Sequence, residues 1–565
     1  MKQGAIVLLM LAIFQFVHAT DYLFAEGQST YSIVLGKEAS QTEKTAAREL
    51  QAILREIGGA TLPIVNHPVN RGIYIGWTPQ TETSQPKNTD ESFTYKTIGN
   101  SLYIYGGSER GSMYGVFRFL ERELGVRWYT SSFTKIPKKN RYALRQFSHS
   151  ESPVIRQRLD FCYDALRHDD WVAHNLLNTQ YQIKESPYGS MSSYWGMHTF
   201  GKLIPPDRYF RTHPEYFSVY KGRRSDKAQL CLSNKSMRRE LTKNLLETIA
   251  KNPGHWCYDL SQNDNPWPCE CPACMRLTKK YGGHSGAIIW FVNQVAAEVK
   301  KKYPDIYIGT FAYRYTRQAP KSNIRPADNV VIRLCDIECC MAHSLEGCKE
   351  NRSFLSDMNN WRKIAKNIYI WDYTTCFYHY LLPFPNFETL AANFRYFSRS
   401  NVIGILEEGA HDAPWSEFSE LKQWIIAKLM WNPYQDTDSL ATLFISDYYG
   451  KAAPYIRKYY DLCQRQVSGN SHFTIKLDCN ADIFSNRFID EGTRLIEGAL
   501  TAVAGNPAEL KRTRRIATQM YYLKWQRNRV KLSLDGTLRQ LQSILKDDPT
   551  IIAEHGKTLK SIQKK

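Results

Sequence analysis

Between Ile155 and Leu406 the chain alternates short apolar runs with longer amphipathic stretches, and this alternation restricts the fold more than any other feature. The runs are Ile155 to Phe161, Leu176 to Tyr181, Gln229 to Ser233, Cys257 to Ser261, Tyr307 to Ala312, Val330 to Leu334, Ile368 to Trp371 and Val402 to Leu406. Each has the length of a strand. Helical periodicity fills several gaps between them, as at Met237 to Lys251, Ala287 to Lys302 and Phe387 to Phe397. Eight strands with intervening helices predict an α/β fold built on a (β/α)8 TIM-like barrel over residues 151–432.

The flanks read differently. Residues 20–150 predict an N-terminal α/β accessory domain. Strands are expected at Ser32 to Leu35, Gly72 to Gly76 and Ser101 to Tyr105. Helices are expected at Thr42 to Ile57, stopped by Gly58-Gly59, and at Arg110 to Leu124, ended by Gly125. Residues 433–565 predict a C-terminal helical region, with patterns at Leu440 to Tyr449, Ala452 to Cys463, Phe488 to Ala504 and Ala508 to Leu534. At the other end, Lys2 precedes an apolar run from Ala5 to Val17, and Val17-His18-Ala19 offers small residues to a signal peptidase. Residues 1–19 therefore predict a cleaved secretory signal peptide, with the mature chain from about Thr20. No later run is long and apolar enough to span a bilayer.

The formal net charge is +19, from 74 basic and 55 acidic residues. Basic residues concentrate after position 500, which suits either an anionic partner or a solvated helix face. Export argues against a nucleic-acid partner. Composition does not set the oligomeric state.

In a barrel of this kind the active site lies at the C-terminal ends of the strands. There the sequence places Ser261-Gln262-Asn263-Asp264 after the fourth run, Asp336 and Glu338 after the sixth, Trp371-Asp372-Tyr373 at the seventh and Glu407-Glu408-Gly409 at the eighth. Aromatic residues accompany these acids, among them Tyr313, Trp371 and Tyr373. Flat rings beside a few carboxylates suit a carbohydrate. Glycoside hydrolysis needs one protonated and one ionised carboxyl, and neighbouring acids split their pKa values by repulsion. Glu407, Asp264 and Asp372 are the expected catalytic groups. Asn263, His198, Tyr313, Trp371, Tyr373, Glu408 and His411 are the expected substrate contacts. Because Glu407 and Glu408 are adjacent on an extended strand end, only one of them is expected to face the pocket.

Cys269-x-Cys271-x-x-Cys274 begins five residues after Asp264. The expected state is disulfides or free thiols that shape this loop. The alternative is a structural metal on Cys269, Cys271 and Cys274, with a fourth ligand such as Cys257 or His255. No other cofactor is expected.

Gly106-Gly107-Ser108-Glu109-Arg110-Gly111 and Leu124-Gly125-Val126-Arg127-Trp128-Tyr129 resemble the N-terminal accessory domain of α-glucuronidase-type and hexosaminidase-type glycosidases. His198-Thr199-Phe200, His213-Pro214-Glu215-Tyr216-Phe217, Ser261-Gln262-Asn263-Asp264 with the Cys cluster, Trp371-Asp372-Tyr373, Pro383-Phe384-Pro385 and Tyr448-Tyr449-Gly450-Lys451-Ala452 resemble the bacterial "domain of unknown function 4838" family, which includes glycoside hydrolase family 163. The resemblance implies a retaining endo-β-N-acetylglucosaminidase that acts on complex N-glycans, exported to the periplasm or cell envelope of a Gram-negative bacterium. Family members usually carry Phe-Glu-Gln-Gly after strand eight; here it reads Leu406-Glu407-Glu408-Gly409. Two competing expectations stand beside this one: an α-glucuronidase-like exo-glycosidase and a non-catalytic glycan-binding protein.

Overall fold

The computed structural model describes residues 22–76, 78, 91–180, 185–189, 191–528 and 536–558. The expected signal segment lies outside them. The chain forms two compact units. One runs up to Gly125 and includes Ile136–Glu151; the other comprises Val126–Lys135 and everything from Ser152 onward.

The first unit is a six-stranded mixed sheet in the order Ser148–Glu151, Phe93–Ile98, Ser101–Gly106, Gly72–Ile75, Ser32–Leu35, Ile64–Val65. Helix Gln41–Gly58 starts at a capping box between Ser40 and Glu43, and its apolar stripe of Ala46, Ala47, Leu50, Leu54 and Ile57 is fully buried. Gly59 ends it in the left-handed region, at φ 80°. A second helix, Glu109–Phe119, passes into a single π turn at Leu120–Leu124 before Gly125.

The second unit holds the barrel. Its strands are β1 (Gln157–Phe161), β2 (Thr179–Gln180), β3 (Ser192–Trp195), β4 (Cys257–Asp259), β5 (Tyr307–Ala312), β6 (Val330–Cys335), β7 (Asn367–Tyr373) and β8 (Gly404–Glu408). They form one parallel sheet in the order β1-β8-β7-β6-β5-β4-β3-β2. Side chains bridge the seam between β1 and β2. The Asn178 amide accepts from the Arg158 N–H at 2.9 Å and donates to the Arg156 carbonyl at 2.8 Å. Helices α1 (Lys235–Lys251), α2 (Pro272–Lys280), α3 (His284–Lys302), α4 (Arg352–Arg362), α5 (Phe387–Arg399) and α6 (Ser419–Trp431) belong to this part. Then come α7 (Thr437–Tyr449), α8 (Ala453–Gln464), α9 (Asn486–Ala502), α10 (Pro507–Arg527) and α11 (Thr537–Asp547). Among the described residues no helix is long and apolar enough to cross a membrane.

One strand departs from expectation. The third barrel strand is Ser192–Trp195, not Gln229 to Ser233. Gln229 to Ser233 makes only an isolated bridge, Phe217 to Leu230. Its side chains are buried without joining the sheet: Leu230 packs into the main core, and Cys231 belongs to a cluster of thiols. The true strand is only four residues long, Ser-Ser-Tyr-Trp, and it buries Ser193 and Tyr194 against its neighbours.

Register fixes which side chains face the barrel interior. Arg333 on β6 lies over the rings of Tyr194 on β3 (3.8 Å) and of Trp371 and Tyr369 on β7 (4.7 and 5.1 Å). Side chains from β3, β6 and β7 can meet in this way only inside the barrel. Cys335 is level with Trp371, Leu406 with Trp371, and Glu408 with Tyr373, so these share the inner face. Asp372 is level with Glu407, and Glu407 with Asp160, so these three point outward.

Candidate active site

A cavity of about 370 Å³ opens at the C-terminal ends of the strands, within the size range of small-ligand sites. Its floor is aromatic: Phe311 and Tyr313 follow from β5, Trp371 and Tyr373 from β7. The Phe311 and Trp371 rings meet edge to face at 5.5 Å, and Trp371 stacks beside Tyr373 at 6.5 Å. Three acids line the cavity: Asp264, Glu408 and Glu554.

Glu408 ends β8 and is almost covered, with a side-chain exposure of 11%. The indole N–H of Trp371 donates to its Oε2 at 2.7 Å. Its Oε1 lies 3.9 Å from Nδ1 of His411. Burial pushes the Glu408 carboxyl up to about 8; nearby Glu554 and Asp264 add to the rise, while the Trp371 hydrogen bond and the Arg333 charge oppose it. At neutral pH the group therefore carries a proton. With Oε2 accepting from the indole, Oε1 is the oxygen left to hold it. Burial holds His411 neutral by pushing its imidazole down.

Asp264 is the opposite case. Its side chain is 56% exposed, and its Oδ1 accepts from the Tyr313 hydroxyl at 3.3 Å with the Arg314 guanidinium 3.8 Å away. The loop after β4 holds it in place. Asn263 donates to the Ala228 carbonyl at 2.8 Å and accepts from the Gly201 N–H at 2.9 Å. Gln229 donates to the carbonyls of Asn263 and Asn265 at 2.9 and 3.0 Å. The Asn263 amide is thus occupied by backbone groups and positions the loop, although the sequence suggests a substrate contact.

His198 lines the cavity in a left-handed conformation, φ 50°, which costs an ordinary residue strain. Its backbone N–H donates to Ser261 Oγ, and its Nδ1 lies 2.7 Å from the Gln262 carbonyl. The carbonyl can only accept, so Nδ1 carries a proton in this contact.

The structure separates the three expected catalytic groups. Asp264 reaches the cavity; Asp372 and Glu407 do not. They lie on the outer face of the strands, fully buried, beside Asp160 and Asp336. Burial first, then repulsion from Asp372, Asp336 and Asp160, pushes Glu407 far above the usual carboxylate range. Among the described residues, neither of its oxygens has a hydrogen-bond partner. Burial likewise pushes Asp372 up to about 6. The glutamate that enters the cavity is Glu408, because the β8 register sends Leu406 and Glu408 inward. Of the expected contacts, His198, Tyr313, Trp371 and Tyr373 line the cavity, and His411 stands just behind Glu408.

Several groups escaped sequence reasoning. Arg314 and Lys476 bring positive charge to the cavity, and Ile475, Glu554 and His555 complete its wall from the region after α8. Backbone hydrogen bonds seat these segments: Phe377 donates to Ile475, and Glu554 donates to Phe377. Nothing in the sequence near these residues links them to the strand ends.

Cys269, Cys271 and Cys274 gather with Cys231, not with Cys257 or His255. The four sulfurs lie within 4.8 Å of one another, and Cys231 is 3.7 Å from both Cys271 and Cys274. A tetrahedral zinc with Zn–S bonds of about 2.3 Å has S···S edges of about 3.8 Å. None of the four sulfurs is bridged. Backbone N–H groups of Val219, Ser233 and Cys274 donate to them, as second partners of metal thiolates do. The donor set can coordinate a metal, and it pins the loop that carries Asp264.

Residues 128–461 match the family model described as Domain of unknown function (DUF4838), and the chain belongs to that family. No curated protein matches the chain. Among solved structures, a family GH115 4-O-methyl-α-glucuronidase with specificity for decorated arabinogalactans is similar at a TM-score of 0.61 and 13% identity, covering 92% of this chain and 76% of that one. A Flavobacterium johnsoniae chitobiase of family GH20 is similar at a TM-score of 0.46 and 11% identity, covering 93% of each chain. The first of these shares the fold.

Proposed function

We propose that this chain is a glycoside hydrolase in which Glu408 is the proton donor and Asp264 the partner carboxylate. The observation that carries the reading is the contrast between two of the acids in one aromatic cavity, Glu408 and Asp264. Glu408 is covered and held protonated, whereas Asp264 is open and faces a phenol and a guanidinium. Glycosidic cleavage requires such a pair: a carboxylic acid to protonate the leaving oxygen, and a second carboxylate to attack, to orient an attacking group or to balance the positive charge of the transition state. Glu407 and Asp372, buried on the other face of their strands, are left out of the pair.

The finer reading is a retaining endo-β-N-acetylglucosaminidase acting on complex N-glycans in the envelope of a Gram-negative bacterium; the family resemblance supports it. Arg314 and Lys476 favour a second reading, an α-glucuronidase-like enzyme, because they suit a uronate or sialate carboxylate. The Cys231, Cys269, Cys271 and Cys274 cluster is read as a structural metal site. The test is mass-spectrometric analysis of products from glycoproteins and uronate-bearing oligosaccharides incubated with the full chain and with Glu408→Gln and Asp264→Asn. A trimmed N-glycan supports the first reading and released uronate the second. Tight binding without cleavage of any member of a broad panel would mean a glycan-binding protein instead.

A further inference from the structure

A second group of thiols and imidazoles lies well apart in sequence from the first. After β6 the chain runs Cys340-x-x-His343-x-x-x-x-Cys348, and His472 reaches the same spot from the segment after α8. One ligand atom from each lies within 4.8 Å of all the others. The Cys340 sulfur is 3.3 Å from Nδ1 of His472 and 3.7 Å from Nδ1 of His343; the Cys348 sulfur is 3.7 Å from Nδ1 of His472. With Zn–S near 2.3 Å and Zn–N near 2.05 Å, a tetrahedral centre has S···N edges of about 3.6 Å. Both cysteines are buried and unbridged. The outer nitrogen of His343, Nε2, lies 2.8 Å from the Ser468 carbonyl. That contact places the ring proton on Nε2 and turns the Nδ1 lone pair toward the sulfurs, the arrangement a metal-bound histidine adopts.

We infer that Cys340, His343, Cys348 and His472 bind one zinc ion in a Cys2His2 site. Binding releases the two thiol protons to solvent and leaves both imidazoles neutral, so the ion's two charges are balanced by two thiolates. The site ties the loop after β6 to the segment that follows α8. The same two segments are joined by the Met341 N–H donating to the Phe473 carbonyl at 2.8 Å, and three residues beyond His472 the chain enters the cavity wall at Ile475 and Lys476. Zinc here holds one wall of the cavity in place without entering it. The inference does not depend on the glycosidase reading.

The test is zinc content by plasma mass spectrometry on the full chain purified with reductant and without chelator. The double variant Cys348→Ser/His472→Ala is expected to hold one equivalent less zinc than the parent chain, while the first cluster keeps its own. His472→Cys preserves four ligands and is expected to retain the ion; after cobalt substitution its thiolate charge-transfer absorption is expected to exceed the parent's, because a third thiolate joins the metal. Equal zinc in the parent and the double variant would overturn the inference. So would a Cys340–Cys348 disulfide found by peptide mapping of protein isolated without reductant, or an unchanged cobalt spectrum in His472→Cys should the double variant fail to fold.

Discussion

Glu407 and Glu408 are neighbours of one residue type, and alternation along an extended strand separates their fates. One enters the cavity and is raised to about 8; the other is sealed behind the strand. The sequence establishes that only one can face inward, but not which one. That choice is set by the register of β8 against β7, through pairs such as Trp371 with Leu406 and Tyr373 with Glu408. The alternation Trp371-Asp372-Tyr373 carries the same information once the aromatic face is known to be the inner one. If Glu408 is the proton donor, as proposed, its lift to about 8 gives a defined pH dependence: kcat/KM is expected to fall as pH rises through about 8, measured as the alkaline limb of the rate profile. Glu554→Gln removes a neighbouring negative charge that helps raise Glu408. The limb is expected to move to lower pH in that variant.

The loops around the strands account for the remaining differences. The apolar run Gln229 to Ser233 has the composition of a strand, yet its cysteine is drawn into a four-thiol cluster, and a run of four to six residues carries no periodicity that separates the two outcomes. The Cys269-x-Cys271-x-x-Cys274 spacing was readable, whereas the fourth member, Cys231, sits 38 positions upstream and is found only by folding. The Cys340, His343 and Cys348 spacing was likewise present, but its partner His472 is more than a hundred positions away. Because the first cluster braces the Asp264 loop, Cys274→Ser is expected to lower both zinc content and the thermal midpoint. It is also expected to reduce kcat/KM by roughly 10- to 100-fold, the cost of misplacing a reacting group by about 1 Å. Unchanged kinetics in a zinc-depleted variant would show that the loop holds its shape without the cluster.

The barrel and its helical partners bury an unusual row of acids on the outer face of the strands: Asp160, Asp336, Asp372 and Glu407. Burial raises all four, so the folded chain keeps protons that the unfolded chain releases. Stability therefore falls as pH rises above about 4, the unfolded carboxylate range, and continues to fall until each folded-state value is passed. For Asp372 that window closes near pH 6. Denaturant titrations of Glu407→Gln and the parent are expected to converge near pH 4 and to separate as pH rises, with the variant the more stable. A parent that gains on the variant at higher pH would mean that Glu407 has a cationic partner. The barrel is foreseeable from alternating runs, because parallel strands buried on both faces are apolar throughout. The wall at Ile475, Lys476, Glu554 and His555 is supplied by segments far along the chain, and only tertiary packing brings them there.

The most direct measurement is kcat/KM for Glu408→Gln and Glu407→Gln on one cleaved glycan, with both variants confirmed folded by circular dichroism. Loss of the proton donor is expected to lower Glu408→Gln by about 10²- to 10⁴-fold, while Glu407→Gln stays near the parent. A collapse of Glu407→Gln with Glu408→Gln fully active would place the chemistry on the other side of the strand and contradict the assignment.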